Sequence, residues 1–351
     1  MLLTNLAFIT SPLQLINLRE FCASQGVAKS SVTVVLKFSK KASSSRALGK
    51  EVDRDRSEWG SIVTFHHRNK FLHLVGLIRR LRGHQWRLVI GGELTAWWQN
   101  VVLSNLDYET RVLLDDGTMT LFDYQQYMAS GSSYQKKKGI KNLVLKALGA
   151  RTKLEHPWPL QVFSVFPLSS NQYVEIVPNK LENLKKDIES LVSQHPLGQN
   201  VGAFIGQPFV DDGQADIDEY GEIVRSYIEA ERLSECLYFP HRSENYRETI
   251  GKLGLNVRFS DYAEPVEYVV GKNLASFKSV CGITSTALFN LHALFPDLPI
   301  WFYPVSRIEH MPDGMKGRLK VIEAFLRRQN NTYDLSERRI RSDRKTVHNV
   351  G

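Results

Sequence analysis

The stretch "RVLLDDGT", residues 111–118, decides the fold class. Its "VLL" run is apolar without alternation, which is typical of a strand buried on both faces of a parallel sheet. Asp115 and Asp116 follow directly, and Gly117 then permits a sharp backbone turn. Ligands of open α/β sheets bind outside the carboxyl ends of the strands, so the stretch predicts a functional site at this edge.

Similar short runs recur along the chain with helical patterns between them. We predict strands at 3–9, 31–37, 61–65, 86–91 and 110–114, and again at 201–205, 236–240, 256–259, 277–282 and 299–302. Helical patterns fill the gaps at 12–24, 70–83, 179–194, 215–232, 243–253 and 284–294. This alternation predicts parallel sheets with helices on both faces.

The chain has 351 residues, which is long for a single hydrophobic core. The stretch "EHPWPLQVFSVFPLSSN", residues 155–171, is rich in proline and weakly periodic, so we place a boundary within it. The expected domains are 1–165, 166–330 and a basic tail at 331–351. Two doubly wound, Rossmann-like α/β domains facing a central cleft form the arrangement that is called GT-B in glycosyltransferases.

The net charge of +8 is concentrated in two stretches. Residues 136–151 carry six basic and no acidic residues, and residues 327–351 carry a net charge of +4. Because the rest of the chain is near neutral, we expect no nucleic-acid partner. Apolar residues at helical spacing within 139–148 fit either a core helix with a solvated lysine face or an interfacial helix on anionic lipid. The basic tail fits either a membrane surface or a frayed terminus.

The three cysteines, Cys22, Cys236 and Cys281, lie far apart and form no CxxC pair. This spacing argues against a disulfide framework and a thiolate zinc site, and it indicates a reducing cytoplasm. No apolar run approaches the roughly 18 residues that span a bilayer. We therefore expect a cytoplasmic protein, with the inner face of the membrane as a further location.

A second Asp-Asp-Gly occurs in "DDGQADIDEYGE", residues 211–222. It follows its strand by six residues and precedes a predicted helix, so we expect Asp211 and Asp212 to serve the helix start. Residues 216–218 also match the DxD pattern by which many sugar transferases hold a divalent ion. An acidic helix start is the more common origin of such a triplet, and we expect no metal.

Other polar residues follow predicted strands. His241 comes directly after 236–240, where an imidazole can meet a phosphate or cap the next helix. Thr284, Ser285 and Thr286 begin an apolar helix, as an anion site or a simple cap. The same rule selects four further positions after strands: Ser11, Glu93, Gly206 and Gln207. Trp97 and Trp98 fit the core better than a site.

In order, these residues resemble the bacterial sialyltransferases, of the lipooligosaccharide sialyltransferase and capsular polysialyltransferase type. Those families share a "TPLQ"-like start, a D/E-D/E-G motif, an HP motif and a Ser/Thr motif. The counterparts here are "SPLQ" (11–14), "DDG" (115–117), "PHR" (240–242) and "TST" (284–286). Arg242 stands where the family has proline. In "EPVEYVVGKN", residues 264–273, Glu267 fits the family's ribose-binding acidic residue better than Glu264.

The resemblance implies a CMP-activated nonulosonic acid as donor, a glycan or glycolipid as acceptor, inversion at the anomeric carbon and no metal or other cofactor. Asp115 is then the expected general base, with Asp116, Gly117, Ser11 and Glu93 on the acceptor side. His241 is expected to act on the departing CMP phosphate. The other donor-side residues are Arg242, Thr284, Ser285, Thr286, Glu264, Glu267, Gly206 and Gln207.

Three alternatives stay open. The donor can be another CMP-sugar, of Kdo, pseudaminic or legionaminic acid, because phosphate-binding motifs do not distinguish these. A GT-B transferase that uses a nucleoside-diphosphate sugar is the second alternative. The third is a non-catalytic envelope-assembly protein that binds lipid through the two basic stretches.

Overall fold

The computed structural model describes residues 5–39, 42–65, 70–132, 134, 139–154, 158–191, 197–241, 244–245, 250–251, 253–260 and 265–337. The chain divides into two compact units, Met1–Asn179 and Lys180–Gly351. Each unit has its own parallel sheet and its own hydrophobic core.

The first unit contains a parallel sheet in the order β3-β2-β1-β4-β5-β6-β7. Its strands are β1 Asn5–Ile9, β2 Val32–Lys37, β3 Ser61–Phe65, β4 Gln85–Gly91, β5 Asp107–Leu114, β6 Leu160–Ser164 and β7 Val174–Pro178. Its helices are α1 Pro12–Ser24, α2 Ala42–Asp53, α3 Lys70–Leu81, α4 Trp97–Leu103, α5 Met119–Asp123 and α6 Gly139–Ala147.

Helices cover both faces of this sheet because successive strand residues point to opposite sides. Ala7 and Ile9 of β1 pack with α1 and α2 on one face. Leu6 and Phe8 pack with α3, α4 and α6 on the other. Both faces of β1 are therefore buried, as expected for a central strand without polar alternation.

The second unit repeats the architecture with the strand order β10-β9-β8-β11-β12-β13, again parallel throughout. Its strands are β8 Val201–Ile205, β9 Glu235–Phe239, β10 Val257–Phe259, β11 Phe277–Gly282, β12 Ile300–Phe302 and β13 Thr332–Asp334. Its described helices are α7 Glu182–Glu189, α8 Ile217–Glu231, α9 Val266–Lys272, α10 Thr286–Leu294 and α11 Asp313–Leu326.

The predicted fold class, two doubly wound α/β domains, is confirmed, and each of the ten predicted strands corresponds to an observed one. The predicted domain boundary lies too early. The stretch in which the boundary was placed forms β6, and residues assigned to the second domain form β7. Both strands extend the first sheet, so the first unit continues to Asn179. Pro178 is compatible with β7 because that strand lies at the edge of the sheet.

The start of the predicted tail also belongs to a sheet, since β13 pairs with β12. The part of the tail after residue 337 and most of the helix predicted at 243–253 lie outside the described residues. Cys22, Cys236 and Cys281 are free, buried thiols. In the described part of the chain, no helix is long and apolar enough to cross a membrane.

Candidate active site

Polar side chains meet at the carboxyl edge of the first sheet. The strand order reverses between β1 and β4, which leaves a crevice where ligands of such sheets bind. Thr10 follows β1 and Glu93 follows β4, and the Thr10 hydroxyl donates a 2.6 Å hydrogen bond to Glu93 Oε1. Asp115 and Asp116 follow β5, the next strand along. The structure therefore brings the predicted Glu93 and the carboxylate pair to one edge.

Gln14 joins the two parts of this edge and was not among the residues predicted from the sequence. Its Oε1 accepts hydrogen bonds from the Thr10 amide at 2.8 Å and the Thr10 hydroxyl at 3.1 Å. Its Nε2 donates to Asp116 Oδ1 at 2.7 Å. Gln14 is fully buried although amide side chains are mostly exposed. Gln14 is the last residue of the "SPLQ" motif, which is the sequence feature that could have indicated its role.

Ser11 has a structural role at the start of α1. It is the N-cap of α1, and its hydroxyl accepts the Gln14 amide N–H at 3.2 Å. This bond satisfies one of the amides left unpaired at a helix start and thereby orients the first turn of α1. Its predicted contact with an acceptor stays a prediction.

Asp115 is buried beneath this surface. Only 1% of the residue is exposed, its Oδ2 accepts the Val165 amide N–H at 2.7 Å, and its backbone carbonyl accepts Asn17 Nδ2 at 3.1 Å. Oδ1 is also buried and makes no well-directed hydrogen bond within the described residues. The Asp115 carboxyl is therefore shielded from solvent in this structure, and its predicted contact with an acceptor hydroxyl stays a prediction.

Burial raises the pKa of the Asp115 carboxyl to about 7, although the nearby Ser164 hydroxyl, the Val165 amide and the Thr120 hydroxyl oppose that rise. Asp123 behaves in the same way, because burial and the charge of Asp116 raise its pKa to about 7. Two carboxyls of this edge are therefore partly protonated near neutral pH.

Asp116 is the more accessible member of the pair. It is partly exposed, whereas Asp115 is buried. Its backbone N–H donates to the Thr120 hydroxyl at 2.9 Å. The predicted turn at Gly117 is confirmed. Its φ of +66° lies in the left-handed region, which glycine adopts more readily than other residues. The turn presents Asp116 rather than Asp115 at the surface.

Of the two tryptophans near Glu93, Trp98 belongs to the core, as predicted, and Trp97 is partly buried against it. Trp98 is buried and stacks on Phe65 at a centroid distance of 5.3 Å, and Lys37 Nζ lies 4.9 Å from the Trp98 ring centre. Burial lowers the pKa of Lys37, while the charge of Glu93 opposes that change. Lys37 therefore supplies a partly buried cation near Glu93.

The second sheet carries a corresponding edge. Gly206 and Gln207 follow β8 at the strand reversal, and the Gln207 amide donates to the Tyr220 hydroxyl at 2.9 Å. A Cβ at Gly206 would lie 2.4 Å from Glu244 Oε1 and 2.7 Å from the Tyr238 hydroxyl. Gly206 thus lets the backbone run close over buried polar groups, and a larger residue would displace them.

His241 follows β9, the strand that lies beside β8 in the sheet. Its backbone carbonyl accepts the Glu244 amide at 2.8 Å, and the buried Glu244 places Oε2 3.2 Å from the Tyr238 hydroxyl. Glu244 was not predicted from the sequence, although it lies three residues after the histidine. Glu244 therefore places a buried carboxylate three residues after His241, while Arg242 lies outside the described residues.

Across β8, the hydroxyl residues after β11 begin α10. Ser285 is the N-cap, and its hydroxyl accepts the Ala287 amide at 3.2 Å. Thr284 is buried, and Thr286 is the first helical residue. The capping alternative thus holds for Ser285. Phosphate binding at this helix start stays a prediction, because a helix N-terminus favours anions but does not by itself identify one.

Glu267 lies in the first turn of α9, where its Oε1 accepts Asn290 Nδ2 of α10 at 2.9 Å. Burial raises the pKa of this carboxyl, and the bond from Asn290 opposes the rise. The residue therefore joins two helices of the second unit, and its predicted ribose contact stays a prediction. Glu264 lies outside the described residues.

The second Asp-Asp-Gly has a different role from the first. Asp211 is exposed and accepts the Asn245 amide at 2.9 Å, and Gly213 has a φ of +66°. We expected Asp211 and Asp212 to serve the start of the helix, but neither caps it. The N-cap of α8 is Asp216, whose side chain accepts the Asp218 backbone N–H at 2.8 Å. Among the described residues, no group of three or more His, Cys, Asp or Glu side chains is placed to hold a metal.

The sequence matches the family model "Glycosyltransferase family 52" over residues 61–300, which is more than half of the chain. The chain belongs to this family. The predicted glycosyltransferase is thereby confirmed. The comparison with curated proteins found no match.

Two solved structures from Photobacterium are similar to this glycosyltransferase. One is an α/β-galactoside α-2,3-sialyltransferase from the luminous marine bacterium Photobacterium phosphoreum, with a TM-score of 0.53, 12% identity and coverage of 95% of this chain and 98% of that one. The other is a 2,6-sialyltransferase from Photobacterium sp. JT-ISH-224, with a TM-score of 0.47, 9% identity and coverage of 95% and 78%. At 12% identity the first likeness shows a shared GT-B fold.

We expect Asp115→Asn to stabilise the protein increasingly as the pH rises from 5 to 8. The folded pKa of about 7 lies above the ordinary 3.8, so the folded chain holds a proton that the unfolded chain releases between these values. The stability linked to that proton is complete below pH 4 and is lost as the pH rises through 7. Asparagine does not titrate and can still accept the Val165 amide.

The measurement is the midpoint of thermal unfolding at several pH values. Asp212→Asn, which changes an exposed carboxylate of the other Asp-Asp-Gly, is the matched control and should show no such trend. A difference between Asp115→Asn and the native chain that is constant across pH would contradict the burial argument.

Proposed function

We propose that this family 52 enzyme transfers sialic acid, or a related nonulosonic acid, from a CMP-activated donor to a hydroxyl of a cell-surface glycan such as lipooligosaccharide or capsule. The proposed transfer inverts the anomeric centre and uses no metal ion. The observation that carries the proposal is the partly exposed carboxylate of Asp116 above the buried Asp115, in a family 52 chain. The four motifs that resemble sialyltransferases, and the galactoside sialyltransferase of similar fold, support the donor class.

Asp116 is proposed as the general base in place of Asp115. A base must come within hydrogen-bond reach of the hydroxyl from which it takes a proton, and that geometry takes precedence over its pKa. Asp116 is partly exposed, and Gln14 Nε2 fixes its orientation by a 2.7 Å hydrogen bond to Oδ1. Asp115 supports the turn from below. Its partly neutral carboxyl limits the negative charge next to the base.

The acceptor side of the proposed site extends from Asp116 to Glu93. Thr10 and Gln14 connect the two carboxylates by hydrogen bonds of 2.6 to 3.1 Å. Sugar hydroxyls are commonly bound by such carboxylates because an ionised carboxylate accepts hydrogen bonds from them. A glycan is therefore a suitable ligand for this edge.

The second unit is proposed to hold the donor. Thr284, Ser285 and Thr286 offer hydroxyls and helix-start amides to phosphate oxygens, and His241 donates to the departing phosphate. Gly206 and Gln207 border the strand reversal between β8 and β11, where nucleotides bind in such folds. Arg242, Glu264 and Glu267 are assigned to the donor by motif alone.

In the proposed step, the acceptor oxygen forms a bond to the anomeric carbon as its proton passes to Asp116. The bond from that carbon to the phosphate oxygen breaks, and its electron pair leaves with CMP. A CMP-sugar releases a phosphate monoester, whose charge hydroxyls, amides and an imidazolium can stabilise without a metal ion. His241 therefore assists the leaving group.

The deciding experiment supplies the purified protein with a panel of CMP-sugars and a glycan acceptor. We expect acceptor-dependent release of CMP from one or more CMP-nonulosonic acids, and the rate should be unchanged by EDTA because the proposed step uses no metal ion. Turnover of a UDP-sugar, with no CMP released from any donor, would show that the proposed donor class is wrong. Loss of activity in EDTA would contradict the metal-independent step.

Asp116→Asn is expected to lower kcat by roughly 10²-fold or more, because general-base catalysis typically contributes about 10² to 10⁴-fold. Asp115→Asn should retain kcat within about 10-fold, since asparagine resembles a protonated, buried aspartate. Asp212→Asn is the control for an Asp-Asp-Gly outside the site and should equal the native chain. Steady-state kinetics with a saturating donor distinguish the three variants. A larger loss of kcat in Asp115→Asn than in Asp116→Asn would assign the base role to Asp115.

His241→Ala is expected to lower kcat by roughly 10²-fold, because the CMP phosphate would leave without a proton donor. The matched control is His310→Ala, which removes an exposed imidazole placed 3.2 Å from Glu219 Oε2 in the same unit. The pH dependence of kcat should lose its alkaline limb in His241→Ala and keep it in His310→Ala. An unchanged profile in both variants would exclude His241 as the acid.

A further inference from the structure

The helix α6, Gly139–Ala147, is firmly attached to the first unit by one side. Leu145 is fully buried in the core formed with α3 and α4, and Asn142 Oδ1 accepts the Trp97 indole N–H at 2.9 Å. The chain after α6 is held as well, because the Arg151 amide donates to Asn105 Oδ1 at 2.8 Å and the Arg151 carbonyl accepts two bonds of 2.8 Å. The orientation of α6 is thus set by defined contacts.

The opposite side of α6 is apolar and exposed. Its large side chains are Ile140, Leu143 and Val144, with 81%, 68% and 43% exposed, and Leu148 directly after the helix is 47% exposed. At 100° per residue these positions form one stripe turned away from Asn142 and Leu145. The alternative that these apolar residues face the core is therefore wrong, because Leu145 is the residue of α6 that is buried in the core and it lies outside the stripe. A contiguous exposed apolar surface of this kind marks an interaction site.

Basic side chains border the stripe on both sides. Lys141 and Lys146 are exposed, and they lie on opposite flanks of the stripe on the helix surface. Beyond the helix there is a surface depression of about 460 Å³, lined by Lys146, Gly149, Ala150, Arg151, Thr152 and Lys153. Three of these residues are cationic and none is acidic. The charge of the stretch is therefore complementary to a phosphate-bearing surface.

We propose that α6 docks the enzyme on an anionic lipid bilayer. In the proposed position the stripe enters the boundary between head groups and acyl chains, while Lys141 and Lys146 extend toward lipid phosphates along its flanks. The depression beside Lys146, Arg151 and Lys153 receives a lipid head group. A partner protein would match an apolar stripe, but α6 and the six residues that line the depression include lysine and arginine and no Asp or Glu, which favours an anionic lipid surface. The docking does not rest on the proposed transfer reaction.

The experiment measures sedimentation of the full chain with lipid vesicles. We expect binding to vesicles of phosphatidylglycerol mixed with phosphatidylcholine, and at least 10-fold weaker binding to phosphatidylcholine alone, because the cations need an anionic head group. Binding should weaken in high salt. Equal binding to both vesicle types would overturn the proposal.

Ile140→Ser combined with Leu143→Ser should weaken vesicle binding by at least 10-fold and leave thermal unfolding unchanged, since both side chains are exposed. The matched control is Leu72→Ser on α3, where the leucine is 72% exposed outside the stripe. If the double variant binds vesicles as well as the native chain, α6 is not the docking surface. If instead it abolishes self-association of a native chain that does not bind vesicles, the stripe is a contact between copies of the chain.

The charge is tested separately with Lys146→Ser, Arg151→Ser and Lys153→Ser in one chain. The control removes the same number of exposed cations elsewhere, by Arg79→Ser, Arg80→Ser and Arg82→Ser. We expect a loss of at least 10-fold in the first variant and less than 3-fold in the control. Equal losses would assign binding to net charge alone and overturn the proposed site.

A fluorescent measurement keeps the proposal testable if a variant folds poorly. An environment-sensitive dye attached to Leu143→Cys should shift to shorter wavelength on addition of the anionic vesicles, while the same dye on Leu72→Cys should not. The native thiols Cys22, Cys236 and Cys281 are buried, which favours labelling of the introduced cysteine. The absence of a shift at position 143 would show that the stripe does not enter the bilayer.

Discussion

The parallel pairing of β1 with both β2 and β4 positions the polar residues of the first unit. Chain segments after neighbouring strands leave the sheet on different sides at this point, and the reversal opens a crevice at the carboxyl edge. Thr10 and Glu93 meet there through a 2.6 Å hydrogen bond. In the second unit β8 lies between β9 and β11 in the same way, which places Gly206 and Gln207 between His241 and the start of α10.

Burial, rather than sequence order, separates the roles of the two neighbouring aspartates. Successive side chains after β5 point in different directions. As a result Asp115 is buried at the edge of the sheet, and Asp116 is partly exposed to solvent. Burial raises the pKa of Asp115 and of Asp123 to about 7, and it lowers the pKa of Arg111 to about 10. The interior of this edge therefore disfavours ionised carboxyls.

The strands of the fold were predictable because buried parallel strands appear as short apolar runs. The strands β6 and β7 were not, because prolines beside them suggested a linker, and only pairing with β5 shows that an edge position accommodates them. The sequence also predicted that the first Asp-Asp-Gly follows a buried strand directly, and the structure places it after β5 at the carboxyl edge of the sheet. The sequence did not indicate which aspartate is buried, since burial depends on contacts with Asn17 and Val165 that are distant in sequence.

Similar limits apply to Gln14 and α6. A glutamine in an apolar helix has no local signature that distinguishes a solvent-facing amide from one that joins two strand ends. The periodicity of α6 located an apolar stripe, but the same periodicity is expected whether the stripe faces the core or the outside. Its direction became clear only from the exposed side chains and the contact between Asn142 and Trp97.

Gly92 and Gln14 are coupled in a way that constrains how this sequence can vary. A Cβ at position 92 would lie 2.6 to 2.8 Å from three atoms of the Gln14 side chain. That side chain cannot move aside freely, because it is bound to Thr10 and Asp116. Any larger residue at 92 therefore needs a shorter one at 14, and the link to Asp116 would be lost with it. The two positions, 78 residues apart in the chain, are expected to change together or not at all.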